Sequence, residues 1–156
     1  MYDVAKLLDF GLVRVHNMCE DNQHLTGLGD IAGTPAFMSP EQAASTSEVD
    51  HRSDIYSLGA LAYFLLTARP PFVHSTSVQT MAAHLSEAVV PPDELNPEIP
   101  ADVARLVMRC LEKEPQRRFP DVVAVDSALA GCACGCRWSG DHAAEWWLSR
   151  DANPPE

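Results

Sequence analysis

The chain has 156 residues, 46% of them hydrophobic and 21% charged, which is long and apolar enough to bury the core of one globular domain. Its 22 acidic residues against 11 basic ones give a net charge of −11 at pH 7. This charge argues against nonspecific binding to nucleic acid and against docking on an anionic membrane, because both need clustered lysine and arginine.

The most apolar run, Leu58–Leu66, is about half as long as a membrane span must be. No secretory pattern is present at Met1, and the five cysteines are therefore expected in a reducing compartment. The predicted location is the cytoplasm.

The first predicted element is a short strand, Val4–Leu8, which is followed directly by Asp9-Phe10-Gly11. By itself this tripeptide is consistent with an ordinary turn. A polar loop, Leu12–Ala32, then leads to Ser39-Pro40-Glu41, about 30 residues after the tripeptide. Together the two ends match the D-F-G to A-P-E order of protein kinases.

The next predicted element is a helix, Asp54–Thr67, with apolar residues on all its sides, as in a helix that is buried all round. Asp54 is interpreted as its N-cap. Gly59 weakens a helix by about 1 kcal/mol relative to alanine, which indicates a close backbone contact.

Three further helices are predicted. Their positions are Ser75–Glu87, with Val78, Met81, Ala82 and Leu85 on the buried face; Ala101–Glu112, with Cys110 in the core; and a helix that begins at Pro120.

With the late Pro115-Gln116-Arg117-Arg118, this pattern resembles the C-terminal lobe of a bacterial eukaryotic-like serine/threonine protein kinase, from D-F-G to the P-x-x-R element. The resemblance implies a mainly α fold with a short β element before the activation segment. It also implies three parts: 1–41 with the Mg-binding loop and activation segment, 42–131 as the helical core, and 132–156 as a tail containing cysteines and tryptophans.

The resemblance implies that Asp9 binds Mg²⁺ against the phosphates of ATP, and that Phe10 and Gly11 complete the cofactor-binding loop. Thr34 matches the threonine that contacts the catalytic aspartate and lysine in serine/threonine kinases. The implied reaction is transfer of the γ-phosphoryl group of ATP to a serine or threonine of a protein substrate.

Glu41 and Arg118 match a buried ion pair of the family, with spacing that selects Arg118 rather than Arg117. For Asp54 the family has a second role, in which the carboxylate accepts N–H groups of the catalytic loop. Capping is the favoured interpretation here, because no catalytic-loop motif occurs in the chain.

Three residues of the loop are regulatory candidates. Asp30 stands where the family often has a phosphorylatable threonine, and Arg14 stands where it has the basic partner. The hypothesis is a constitutive Asp30–Arg14 contact, and the alternative is two solvated charges. Thr26 is a further candidate phosphorylation site.

Several catalytic motifs are missing from these 156 residues: H-R-D-x-x-x-x-N, the Gly-rich loop, and the strand lysine with its glutamate partner. The polypeptide is therefore predicted to be inactive alone and to bind ATP and Mg²⁺ weakly or not at all. One hypothesis is a kinase fragment whose partner is the remaining lobe. The other is a degenerate lobe that serves as a noncatalytic binding module. Either would leave an apolar surface that promotes self-association.

Cys132, Cys134 and Cys136 occur at two-residue spacing. Such thiols are able to bind a soft metal such as Cu(I), although the spacing is not that of structural zinc sites. Free thiols are the favoured interpretation.

Overall fold

The structure is a computed structural model that describes residues 34–44, 46, 49–135 and 139–151. The helices in this part of the chain are the 3₁₀ turns Pro35–Phe37 and Pro115–Arg117 and the α-helices α1 (Pro40–Ala43), α2 (His51–Thr67), α3 (Ser77–Ser86), α4 (Pro92–Leu95), α5 (Ala101–Cys110), α6 (Val122–Ala130) and α7 (Gly140–Asp151). Since no strand occurs among the described residues, the prediction of a mainly helical fold is confirmed. The β element predicted at Val4–Leu8 lies outside them.

The chain divides into two compact units. The first is Thr34–Cys136, which contains α1 to α6. The second includes α7, in which the rings of Trp146 and Trp147 meet edge to face with centroids 4.8 Å apart.

Helices α2 and α5 form the centre of the first unit. Their shared core consists of Tyr56, Ala60, Tyr63, Val107 and Leu111, all at most 2% exposed. A second cluster joins α2 and α5 to α6 through Ile55, Cys110, Phe119 and Val125, which confirms Cys110 as a core residue.

The two helices touch at Gly59. A β-carbon built on Gly59 would lie 2.5 Å from the β-carbon of Cys110, which is closer than two such atoms approach in proteins. The close contact expected from this glycine is therefore confirmed, and it sets the distance between α2 and α5.

The start of α2 differs from its prediction. The N-cap is Asp50, whose carboxylate accepts the N–H of Arg52 at 2.8 Å and also binds the Arg52 guanidinium at 2.6 Å. Asp54 is exposed in the first helical turn, so its prediction as N-cap is wrong. The helix starts earlier than predicted because the Asp50 carboxylate both accepts the backbone N–H of Arg52 and pairs with the Arg52 guanidinium. Asp54 retains a favourable position near the positive end of the helix dipole.

The prediction that α2 is buried all round is also wrong. Ile55, Tyr56, Gly59, Ala60 and Tyr63 are buried on one face. On another face the side chains are partly exposed, with 43% exposure at Leu58, 46% at Leu61 and 73% at Leu65. The exposed stripe Leu58–Leu61–Leu65 follows helical spacing, and neither α5 nor α4 covers it.

The buried face of α3 is not the predicted one either. Thr80, Ala83 and His84 are buried, whereas Val78 is 66% exposed and Leu85 is 45% exposed. The two buried polar side chains have hydrogen-bond partners, since Thr80 bonds the Thr76 carbonyl and His84 bonds Tyr56. A count of apolar residues therefore selects the wrong side of this helix.

Candidate functional site

A buried ion pair joins α1 to the turn after α5. Arg118 binds Glu41 through two parallel hydrogen bonds, Nη1 to Oε1 at 2.7 Å and Nη2 to Oε2 at 2.8 Å. Arg118 is 2% exposed and Glu41 is 9% exposed. A bidentate pair of this kind is among the strongest polar contacts that proteins make. The structure brings these two residues together across 77 positions of sequence and leaves Arg117 at the surface, where it pairs with Glu114.

The remaining donors of Arg118 are also satisfied. They reach the backbone carbonyl groups of Glu112, Lys113 and Arg52 at 2.8 to 2.9 Å. The guanidinium also lies over the ring of Tyr56, 4.9 Å from its centroid. Arg118 thus links α1, the start of α2 and the segment after α5, which a lysine could not do because it lacks the planar set of five donors.

The carboxylate of Glu41 is charged in this environment. Burial by itself would raise its pKa, but the hydrogen bonds from Arg118 and from Ser53 outweigh burial, and the pKa lies below its ordinary value. The Ser53 hydroxyl donates to Oε1 of Glu41 at 2.5 Å. Ser53 was not singled out from the sequence, because nothing local marks a serine as the partner of a distant carboxylate.

Glu41 is positioned by the cap of α1. Ser39, where the kinase motif has alanine, accepts the Gln42 N–H at its hydroxyl, and the Gln42 side chain accepts the Ser39 N–H at 2.9 Å. This reciprocal arrangement is a capping box, and Pro40 at the first helical position supports it. The departure from alanine therefore adds a helix cap, which fixes where the Glu41 side chain leaves the backbone.

The loop Thr34–Met38 packs against both α2 and α3, and we call it the substrate-side loop after the role predicted for it from the sequence. Its Thr34 is exposed at the start of the Pro35–Phe37 turn. The Ser57 hydroxyl donates to the Phe37 carbonyl at 2.8 Å, and the Phe37 ring meets Phe64 edge to face at 6.1 Å. Helix α2 therefore fixes one side of this loop.

An open cavity of about 320 Å³ borders the substrate-side loop. Its lining includes Thr34, Pro35 and Ala36 from the loop, and Phe72 and Thr80 from the opposite wall. The cavity combines apolar walls with hydroxyl groups.

A second open groove, of about 660 Å³, lies beside the ion pair. Lys113 lines it and donates to the carbonyl groups of Ala83 and His84 at the end of α3, at 3.3 and 2.8 Å. Its ammonium lies 4.4 Å from the centroid of the Phe72 ring. Burial lowers the pKa of Lys113 to about 8. These contacts connect α3 to the segment after α5, and the Lys113 ammonium group is bound by other groups of the protein.

Most residues proposed for cofactor binding and regulation lie outside the described part of the chain. These are Asp9, Phe10, Gly11, Arg14, Thr26 and Asp30. The Mg²⁺ and ATP contacts and the Asp30–Arg14 contact therefore stay predictions.

In the tail, Cys132 is buried and Cys134 is half-buried, both as free thiols, while Cys136 lies outside the described residues. The N–H of Ala133 donates to Asp102 at 2.7 Å, which fixes this turn against the start of α5. Within the part of the chain that the structure describes, no group of three or more histidine, cysteine or acidic side chains is arranged to hold a metal.

The described helices also include none with the length and apolar character needed to cross a bilayer.

Comparison with known proteins identifies the family. Residues 1–128 match the family model described as the protein kinase domain. The chain belongs to the protein kinase domain family.

Its relatives include bacterial serine/threonine kinases. The chain is 40% identical to the serine/threonine-protein kinase pkn3 of Myxococcus xanthus, over 81% of the chain and 23% of the relative. It is 42% identical to the DNA damage-responsive serine/threonine-protein kinase RqkA of Deinococcus radiodurans, over 74% of the chain and 17% of the relative. It is 36% identical to the serine/threonine-protein kinase PknB of Mycobacterium leprae, over 75% of the chain and 18% of the relative. The chain thus spans only about a fifth of the length of these curated relatives.

Proposed function

We propose that the chain forms the C-terminal lobe of a bacterial eukaryotic-like serine/threonine protein kinase, from the D-F-G tripeptide to the P-x-x-R element. The observation that carries this proposal is the buried Glu41–Arg118 pair, which links the end of an activation segment to a turn after a late helix. The family match over residues 1–128 supports it. In this proposal residues 1–41 supply the metal-binding loop and activation segment, 42–131 the helical core and 132–156 a tail.

The proposed reaction is phosphoryl transfer. The hydroxyl oxygen of a substrate serine or threonine forms a bond to the γ-phosphorus of ATP, the bond to the β,γ-bridging oxygen breaks, and ADP leaves. The hydroxyl proton passes to the catalytic-loop aspartate, which another part of the complete domain would supply. In the complete domain, Asp9 would hold the Mg²⁺ that neutralises the developing charge. Thr34 would contribute from the substrate-side loop, whose cavity would receive the peptide.

We expect these 156 residues to be inactive on their own. Transition-state stabilisation in kinases depends on the catalytic-loop aspartate and asparagine and on the strand lysine, and none of their motifs occurs in this sequence. Binding of ATP and Mg²⁺ through Asp9 alone would be weak. The site of action that we propose is the cytoplasm, where ATP and protein substrates are present.

A second candidate function is a noncatalytic binding module. The exposed stripe Leu58–Leu61–Leu65 on α2 favours it, because apolar faces of this kind mark surfaces that another protein covers. In the first proposal the rest of the kinase domain covers this stripe. In the second a separate partner protein does, and the chain transfers no phosphate in any context.

One experiment separates the two functions. The chain is mixed with a separately expressed polypeptide encoded immediately upstream of its first codon, and transfer from γ-labelled ATP to a general serine/threonine substrate is measured. We expect activity only in the mixture and loss of that activity with Asp9→Ala. An upstream reading frame without H-R-D-x-x-x-x-N and a Gly-rich loop, or an inactive mixture that nevertheless forms a complex, would overturn the kinase proposal and favour the module.

A further inference from the structure

The substrate-side loop has different contacts on its two sides. Helix α2 holds it with the Ser57 hydrogen bond and the Phe64 ring. On the side of α3 the loop packs against the helix that carries His84, whose side chain is 0% exposed. No step of the proposed function uses this buried histidine, although it lies beneath the loop that carries Thr34.

Aromatic rings hold the His84 side chain in one orientation. It meets the ring of Phe72 at 5.0 Å and that of Tyr56 at 5.6 Å, both edge to face. Nδ1 lies 2.8 Å from the Tyr56 hydroxyl. Burial and the nearby Lys113 cation lower the pKa of His84 to about 4, so the imidazole is neutral at pH 7 and carries one N–H.

The other nitrogen, Nε2, is buried and makes no hydrogen bond to the described residues. The backbone carbonyl groups of Pro35 and Ala36 nevertheless lie near enough to the ring to raise its pKa, against the larger effect of burial. Carbonyl groups only accept hydrogen bonds, so they favour a proton on the nitrogen that faces them. A buried N–H without a partner is unfavourable, and this favours a hydrogen-bonded connection from Nε2 to the loop carbonyl groups.

We propose that His84 is a positioning residue for the substrate-side loop. The Tyr56 hydroxyl donates to Nδ1 and thereby fixes the proton on Nε2, and Nε2–H is joined to the Pro35 and Ala36 carbonyl groups through one buried water. His84 thus holds the substrate-side loop from α3, as the Ser57 hydrogen bond holds it from α2. The relevance to catalysis rests on the proposed kinase function, whereas the tautomer and the loop contact do not.

The first test reads the tautomer in the wild-type chain. Long-range ¹H–¹⁵N correlation spectra of the complete chain at pH 7 distinguish the two neutral tautomers, and His84→Gln identifies the signals among those of the six histidines. We expect an unprotonated Nδ1 and a protonated Nε2. A protonated Nδ1 would overturn the proposal.

The second test compares His84→Gln with His84→Asn. The glutamine amide reaches the place of Nε2 and the asparagine amide the place of Nδ1, so only glutamine keeps a donor toward the loop. Hydrogen exchange is followed at the amides of Phe37 and Met38, which bond within the loop, and at Leu111, which bonds at the end of α5.

We expect His84→Asn to speed exchange at the two loop amides about fivefold relative to Leu111, the effect of one lost hydrogen bond, and His84→Gln to restore most of the protection. Equal acceleration at all three amides in both variants would mean that His84 serves only general packing, and would refute its positioning role. Because these measurements need no phosphoryl transfer, a negative result in the activity assay leaves their outcome intact.

Discussion

The Glu41–Arg118 pair makes a quantitative prediction about stability. Arg118→Met keeps much of the side-chain volume but removes both hydrogen bonds to Glu41 and the three to backbone carbonyl groups. The carboxylate is then buried without a cation, a situation that costs about 3–5 kcal/mol. Small domains have only about 5–15 kcal/mol of stability, so the expected loss is a large part of the total.

The assay is urea unfolding of the complete chain at pH 7, with Arg117→Ala as the matched control. Arg117 is next in sequence but exposed and paired only with Glu114, and its removal should change the free energy of unfolding by less than about 0.5 kcal/mol. The double variant Glu41→Leu with Arg118→Met should recover much of the loss, because no charge remains buried.

The pH dependence supplies an independent check. The pKa of Glu41 is lowered in the folded wild type, so its contribution to stability is present above the unfolded pKa of about 4.3 and is lost as the pH falls through the lower folded value. In Arg118→Met the Ser53 hydrogen bond remains but the contribution of Arg118 is lost, so the carboxyl group takes up a proton at higher pH than in the wild type. The difference between wild type and variant should therefore shrink on acidification. A loss below about 1 kcal/mol at pH 7, or a difference that does not change with pH, would refute this reasoning.

Three further substitutions test other parts of the fold. Gly59→Ala should lower the free energy of unfolding by about 1–2 kcal/mol, because overpacking against Cys110 exceeds the gain in helix propensity; an unchanged urea midpoint would contradict the close contact. Ala68→Gly should raise the free energy of unfolding by about 0.5–1 kcal/mol, since Ala68 ends α2 in the left-handed region with φ of 57°, which glycine adopts without strain. A lower melting temperature would argue against this strain. Leu61→Glu should reduce self-association measured by light scattering with little change in melting temperature; a wild-type chain that is already monomeric at high concentration would count against the exposed stripe as an association surface.

The helical class and the two central helices were predictable from the sequence, because a long apolar run and the apolar spacing in Ala101–Glu112 reflect local geometry. The choice of Arg118 over Arg117 came from a family pattern, since two adjacent arginines have the same chemistry and only the fold decides which one is buried. The start of α2 was missed because Asp50 and Asp54 are equally good capping residues, and the pairing of Asp50 with Arg52 decides between them.

The buried polar residues were the least predictable. His84 and Thr80 lie inside, while Val78 of the same helix is outside, because hydrogen bonds to Tyr56 and to the Thr76 carbonyl offset the cost of burial. The bond between His84 and Tyr56 joins residues 28 positions apart, and no local pattern encodes it. The Ser53 bond to Glu41 was missed for the same reason.

The long sequence separation of the ion pair affects how the chain matures during synthesis. Arg118 follows Glu41 by 77 positions, and ribosomes add about 5–20 residues per second. The glutamate therefore waits about 4 to 15 s for its cation after it has been incorporated. During that interval the Glu41 carboxylate has no buried partner, and α1 is fixed to the core only after Arg118 has been made.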